Sequence, residues 1–167
     1  MTLDLFIPIE PRPKQAMKIG VNKHTGRAMA FGDADLKKYV KTIRVLAGIE
    51  IRKQIKGFKP WTGPVYVNVL EFKFTPPESH LKGRKGAGAA ARLDRGEDIL
   101  KYTKPDLDNL IKPLFDALNG VAFEDDGQVC SISCLLKVYS RKPGIHIKLS
   151  VDDFQDDQLI LTEIGET

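Results

Sequence analysis

The chain is poor in the residues that carry most metal and redox chemistry: 167 residues hold two cysteines, three histidines and one tryptophan. Cys130 and Cys134 stand four apart in a strand-like run, a spacing that suits neither a disulfide framework nor a CxxC metal or redox motif. They read as small hydrophobes facing a core. His24 and His80 fall in loops and His146 on the polar side of a strand, so no pair of histidines has ligand spacing for zinc. Long apolar runs are missing too, and nothing approaches the roughly 18 residues a membrane helix needs. The opening MTLDLFIPIEPRPK carries acid and proline where a signal peptide has a basic start and an apolar stretch. Neither a membrane nor an export role is expected, and the reducing cytoplasm is the default compartment. What is present, 42% hydrophobic and 29% charged residues, suits one globular domain with an ordinary core.

The net charge is only +4, but its signs are segregated. Residues 105–126 hold six acids against one base, Lys112, and 152–167 hold six acids with no Lys or Arg. The remainder carries 25 bases and 10 acids. A basic body around a compact acidic island suggests a phosphate-rich polymer held by the body and a cation held by the island. An ordinary basic protein with a solvated acidic turn has the same charge pattern.

Hydrophobic patterning places the elements. Alternation at Leu3, Leu5, Ile7 and Ile9 predicts an opening strand that stops at the prolines of Pro11-Arg-Pro-Lys14. Met17–Val21 and Arg27–Phe31 read as a hairpin around Asn22–Gly26, and Leu36, Val40, Ile43, Ala47 and Ile51 keep helical spacing after a cap at Asp33 or Asp35. Val65–Phe74, rich in β-branched and aromatic residues between Gly63-Pro64 and Pro76-Pro77, is a strand. Residues 78–100 show almost no apolar periodicity and a small, basic centre, which predicts a flexible loop whose Lys82, Arg84, Lys85 and Arg92 face DNA. After Gly120, strands are expected at 121–123, 128–139 and 145–151 around the turn Glu124-Asp-Asp-Gly127, with Cys130, Ile132, Cys134, Leu136 and Val138 facing one way. The order of elements excludes a doubly wound parallel sheet. It leaves a single α+β domain over residues 1–151, with a mixed sheet and two main helices, and an acidic tail at 152–167.

The informative segment is Lys104–Gly120. Leu107, Leu110, Ile111, Leu114, Phe115 and Leu118 make the apolar stripe of a helix ending at Gly120, and Pro113 places its first turn near Asp108 to Leu110. Asp106 and Asp108 then lie two apart in extended chain, where both carboxylates can aim at one point. Such a pair repels unless a proton or cation sits between them, and hard oxygen ligands suit Mg²⁺ or Mn²⁺. The turn at Glu124, Asp125 and Asp126 can return further carboxylates, and Lys112 lies one helical turn after Asp108. Carboxylates, cation and lysine together suit in-line attack of water on a phosphodiester. The plainer alternatives are a helix cap at Asp-x-Asp and a hairpin turn at Glu-Asp-Asp-Gly.

Lys104-Pro-Asp106-Leu-Asp108-Asn109-Leu-Ile-Lys112, Asp116-Ala-Leu-Asn-Gly120 and Asp125-Asp126-Gly-Gln128-Val closely resemble the signature of the RusA family of Holliday junction resolvases. The likeness extends more weakly over residues 3–151. It implies an α+β homodimer that nicks two opposing strands of a four-way DNA junction with Mg²⁺ or Mn²⁺, in recombination and repair or in the resolution of phage or prophage intermediates. On motif position Asp106, Asp108 and Asp126 correspond to the metal-binding aspartates, with Asp125 the substitute for Asp126. Lys112 corresponds to the essential lysine, and its neighbour Pro113 departs from the pattern. Lys14 and Lys104 join the loop cations as expected DNA contacts, and the acidic tail is open to a protein partner. Two other readings stand beside this one: a metal-dependent nuclease of other specificity, and a branched-DNA-binding protein that does not cut.

Overall fold

A computed structural model describes residues 1–14, 18–21, 28–31 and 34–152, with the backbone alone at 18–21, 28–31, 84 and 85. The expected hairpin turn at 22–26 and the tail beyond Asp152 lie outside the described residues.

Strand β1 (Thr2–Ile7) alternates as its sequence does, with Leu3, Leu5 and Ile7 fully buried. It pairs antiparallel with β8 (Gly144–Val151), which pairs antiparallel with β4 (Val65–Phe74). The far side of β4 is shared by two parallel partners: β6 (Val129–Ile132) along its first half and β7 (Leu135–Tyr139) along its second. A two-residue strand, β5 (Ile99–Leu100), closes the edge on β7, completing a mixed six-stranded sheet. β2 (Lys18–Val21) and β3 (Ala28–Phe31) form a separate antiparallel ribbon.

Helix α1 (Ala34–Gln54) buries Tyr39, Ile43, Ala47 and Ile51, one residue per turn, and α3 (Leu107–Leu118) buries Leu110, Leu114, Phe115 and Leu118. Both stripes meet the apolar side of β1, β8 and β4 in one core. Phe72 is fully buried there on the central strand, and truncating such a side chain to alanine costs about 3–5 kcal/mol. The polar side of the strands carries an ionic chain: His146 bridges Asp4 and Glu71 (2.8 and 3.0 Å), and Lys73 bridges Glu71 and Asp98 (3.2 and 2.7 Å).

Three expectations need correction. Residues 78–100 hold a helical turn at Glu78–His80, helix α2 (Gly83–Asp94) and β5, where a flexible loop was expected. Alanine propensity carries α2 where periodicity is weak, because alanine loses no side-chain entropy in a helix. Only Leu93 inserts deeply, while Gly86 is required by contact: a Cβ there would lie 2.6 Å from the Leu81 carbonyl carbon. The run 128–139 is two strands instead of one, and Cys130 is exposed. Cys130 falls at a register shift, where Val65 faces Val129 but Tyr66 faces Ser131, and a slip of one residue turns a side chain to the other face. Residues 121–123 form no strand; Phe123 makes isolated bridges to Trp61 and Asn119.

Candidate active site

Helix α3 begins at Leu107, one residue earlier than its proline suggested, and Pro113 lies inside it. A proline there cannot donate to the carbonyl four residues back, that of Asn109. The backbone N–H of Lys14 supplies the missing bond at 2.7 Å. Two residues earlier the Arg12 N–H donates to the Tyr39 hydroxyl at 3.0 Å, and burial pushes that phenol up to about 12. The segment Pro11–Lys14 is thus pinned to α1 and α3, and the exposed Lys14 side chain starts beside the first turn of α3.

The loop preceding α3 is held from below. Lys137 on β7 donates through Nζ to the carbonyls of Thr103 (2.7 Å) and Pro105 (2.6 Å). Lys101 Nζ donates to the Lys104 carbonyl at 2.6 Å and lies 5.0 Å from the Tyr139 ring centroid. Bonds from an ammonium to carbonyls are charge-assisted and stronger than neutral ones. They fix the backbone immediately before Asp106, whose own backbone is extended (φ −76°, ψ 150°) at the N-terminal boundary of α3. Asp106 makes no side-chain capping bond, and the exposed carboxylates of Asp106 and Asp108 have no hydrogen bond or ion pair among the described residues.

The turn after α3 presents the other acids. Gly120, at φ +72°, follows the helix end in the left-handed conformation that glycine adopts without strain. Asp125 turns its carboxylate to the Gly127 N–H, while Gln128 Oε1 accepts from the Asp125 N–H at 2.8 Å. Asp125 is therefore a turn cap, and Asp126 is the acid that faces α3. Lys112 Nζ lies 2.7 Å from Asp126 and 3.1 Å from Asp116. The bond to Asp126, then that to Asp116, raises the Lys112 pKa above its usual 10.5. The bond from Lys112, followed by smaller contributions from Asp125 and Asn119, holds Asp126 below its usual 3.8 against its desolvation. Asn119 Oδ1 is buried without a hydrogen-bond partner.

Of the residues expected from the sequence, the structure joins Lys112 to Asp126 and puts Asp106 and Asp108 at the start of the same helix. Among the described residues no three His, Cys, Asp or Glu side chains converge closely enough to hold a metal ion. The donor chemistry nevertheless fits a hard divalent cation: two unengaged carboxylates, a third on Lys112 and the unpartnered Asn119 oxygen are all oxygen donors. Among the expected DNA contacts, Lys14 and Lys104 are exposed, Lys82 is paired with Glu78 and Arg92 with Glu97. The side chains of Arg84 and Lys85 lie outside the described residues. Sequence reasoning gave no role to Asp116, Asn119, Lys101 or Lys137. The i, i+4 spacing of Lys112 and Asp116 was a usable signal; for Lys137, far along the chain, no local signal existed.

Two comparisons with known proteins concern the chain as a whole. Residues 8–150 match the family model described as "Endodeoxyribonuclease RusA". The chain is also 33% identical over 88 residues to "Uncharacterized protein YqaN" of Bacillus subtilis (strain 168), a stretch covering 53% of this chain and 58% of that protein.

Proposed function

The chain belongs to the RusA endodeoxyribonuclease family, and from that premise we propose that it is a structure-selective endodeoxyribonuclease that resolves four-way DNA junctions by paired symmetric nicks. The observation that carries this reading is Lys112 bridging Asp116 and Asp126 one turn along α3 from Asp108. Asp106, Asp108 and Asp126 would hold Mg²⁺ or Mn²⁺. Bound there, the cation supplies activation of water or stabilisation of the leaving oxygen. Lys112, kept protonated by its two carboxylates, offers positive charge to phosphate oxygens as they gain charge in the transition state. Asp125 belongs to the turn that aims Asp126. Lys14 and Lys104 flank the acids and counter the repulsion they exert on DNA phosphates.

A homodimer follows from the substrate's symmetry, since a two-fold axis sets two equivalent sites on two symmetry-related strands. The reaction suits recombination and repair in the cytoplasm, or resolution of replication intermediates carried by a phage or prophage.

One observation favours a second reading. Among the described residues no three carboxylates converge on one point, as expected of a protein that binds branched DNA without cutting it. One experiment separates the two: end-labelled four-way junction, flap and linear duplex are incubated with wild type and Asp108→Asn, with and without Mg²⁺. Paired nicks in the junction alone, dependent on Asp108 and metal, support the resolvase. Cutting of all three substrates makes it a general nuclease, and tight junction binding without cutting supports the second reading.

A further inference from the structure

Tyr102 is 96% exposed and Leu100 is 65% exposed, whereas no other large hydrophobic side chain among the described residues exceeds 54%. Such exposure is ordinary at the tip of an unanchored loop, but this backbone is anchored on both sides. Ile99 and Leu100 pair with Tyr139 and Val138, the Lys101 N–H donates to the Lys137 carbonyl at 2.7 Å, and Lys137 Nζ holds the Thr103 carbonyl at 2.7 Å. Lys101, between the two apolar residues, sends its ammonium to Thr103 Oγ1, the Lys104 carbonyl and the face of Tyr139. The phenol ring of Tyr102 therefore does no structural work, yet its backbone, two residues past β5, is fixed by bonds at Lys101 and Thr103.

What lies around the ring suggests its ligand. A depression of about 110 Å³ borders it, lined by His80, Leu81, Ala89, Leu93 and Leu100. The acids of neighbouring segments are each paired locally, Glu78 with Lys82, Glu97 with Arg92 and Arg95, and Asp98 with Lys73. Lys104, exposed and two residues along, brings a cation whose ammonium has no partner among the described residues. Asp106 follows four residues after Tyr102, within roughly 14 Å of chain even when fully extended. An aromatic face, a shallow apolar recess and an uncommitted cation together match one nucleotide, base against ring and phosphate against ammonium.

We propose that Tyr102, flanked by Leu100 and Lys104, is a stacking platform for an unpaired DNA base beside the scissile phosphate. The proposal rests on the nucleic-acid reading above and gives it a source of preference for branch points. A base inside a continuous duplex is stacked on both sides, whereas one at a branch can lose a stacking neighbour and leaves the stack at lower cost. Stacking on an aromatic side chain is sequence-tolerant and changes affinity by roughly 5- to 150-fold per base.

The test uses the full chain with Tyr102→Ala, Tyr102→Phe and Tyr102→Trp. Binding to a four-way junction, a single-stranded oligonucleotide and a linear duplex is measured in chelator, so that no DNA is cut. Tyr102→Ala should weaken junction and single-strand binding about tenfold and leave duplex binding and the salt slope unchanged. Tyr102→Phe and Tyr102→Trp should bind as wild type, and 5-iodouracil at the branch point should photo-crosslink to residue 102. Equal losses on all three DNAs, or no loss with Tyr102→Ala, overturn the proposal. So does a shift of Tyr102→Ala from dimer to monomer in sedimentation, which would give the patch to a second copy of the chain. Failure of the nuclease reading is seen separately, as absence of metal-dependent cleavage by wild type, and leaves the single-strand result intact.

Discussion

The backbone N–H of Lys14 bonds to the carbonyl of Asn109 at 2.7 Å, taking the acceptor that Pro113 leaves without its helical donor. A residue that looks like a defect in α3 is thereby the attachment point for a segment nearly a hundred positions earlier. The attachment brings a lysine to the first turn of α3, the end of the helix that carries Asp108.

Replacing Pro113 with alanine supplies an N–H that competes with Lys14 for Asn109. The helix gains, but by less than the roughly 3 kcal/mol that separates proline from alanine in a helix interior, because the carbonyl is already bonded. The Lys14 amide should exchange with solvent faster in Pro113→Ala, and junction affinity should fall at unchanged or higher thermal stability. Hydrogen exchange at Lys14 that stays slow would show that the segment is held by other contacts.

Lys112→Ala removes both ion pairs of the site. Lys112 is half-exposed and Asp116 nearly so, with only Asp126 more enclosed, so the stability change should stay near 1 kcal/mol. Turnover should fall far more than junction affinity, the mark of an interaction made in the transition state. Equal losses in both would make Lys112 a DNA contact only.

How far the sequence foretold this site depends on the distance over which each contact acts. Lys112 and its neighbours on α3 were legible because helical spacing is local, and Asp126 because a turn after a helix end returns the chain nearby. Strands β1, β4 and β8 were legible because one buried face imposes alternation. The α2 helix escaped because its packing uses Leu93 and a glycine contact instead of an apolar stripe. The Pro113 attachment escaped because its meaning lies in Lys14, and Lys137 because a lysine on a polar strand position carries no mark of the carbonyls it will meet.

Lys137→Met keeps the unbranched stem to within one atom and removes the charge that binds the Thr103 and Pro105 carbonyls. Bonds of this kind are worth about 1.5–3 kcal/mol each when buried, and this lysine is only half-buried, so a total loss of about 2 kcal/mol is expected. Because the loop it holds carries Asp106, Mn²⁺ affinity measured by titration calorimetry should also drop, with partial recovery in Lys137→Arg. Lower melting temperature with unchanged Mn²⁺ affinity would restrict Lys137 to a structural role.

The pair Lys112–Asp126 also fixes a pH dependence. Asp126 is held below its usual 3.8, chiefly by the bond from Lys112. A carboxylate whose folded pKa is depressed contributes stability that is fully present above its unfolded value and is lost as pH falls through the folded one. At the other limit Lys112 is raised above 10.5 by the same bond, so its contribution is complete below that value and is lost as pH rises through the raised one. The bridge should therefore persist from mildly acid to strongly alkaline pH. In the metal-free protein, carbon-detected NMR of the Asp126 carboxyl should show a midpoint below 3.8 in wild type and an upward move in Lys112→Ala, which removes the largest cause of the shift. Asp116→Asn should move it far less, because Asp116 contacts the lysine and not Asp126. A midpoint that stays put in Lys112→Ala would mean that Asp126 is held by the turn and not by α3, and would remove the pairing on which the proposed site rests.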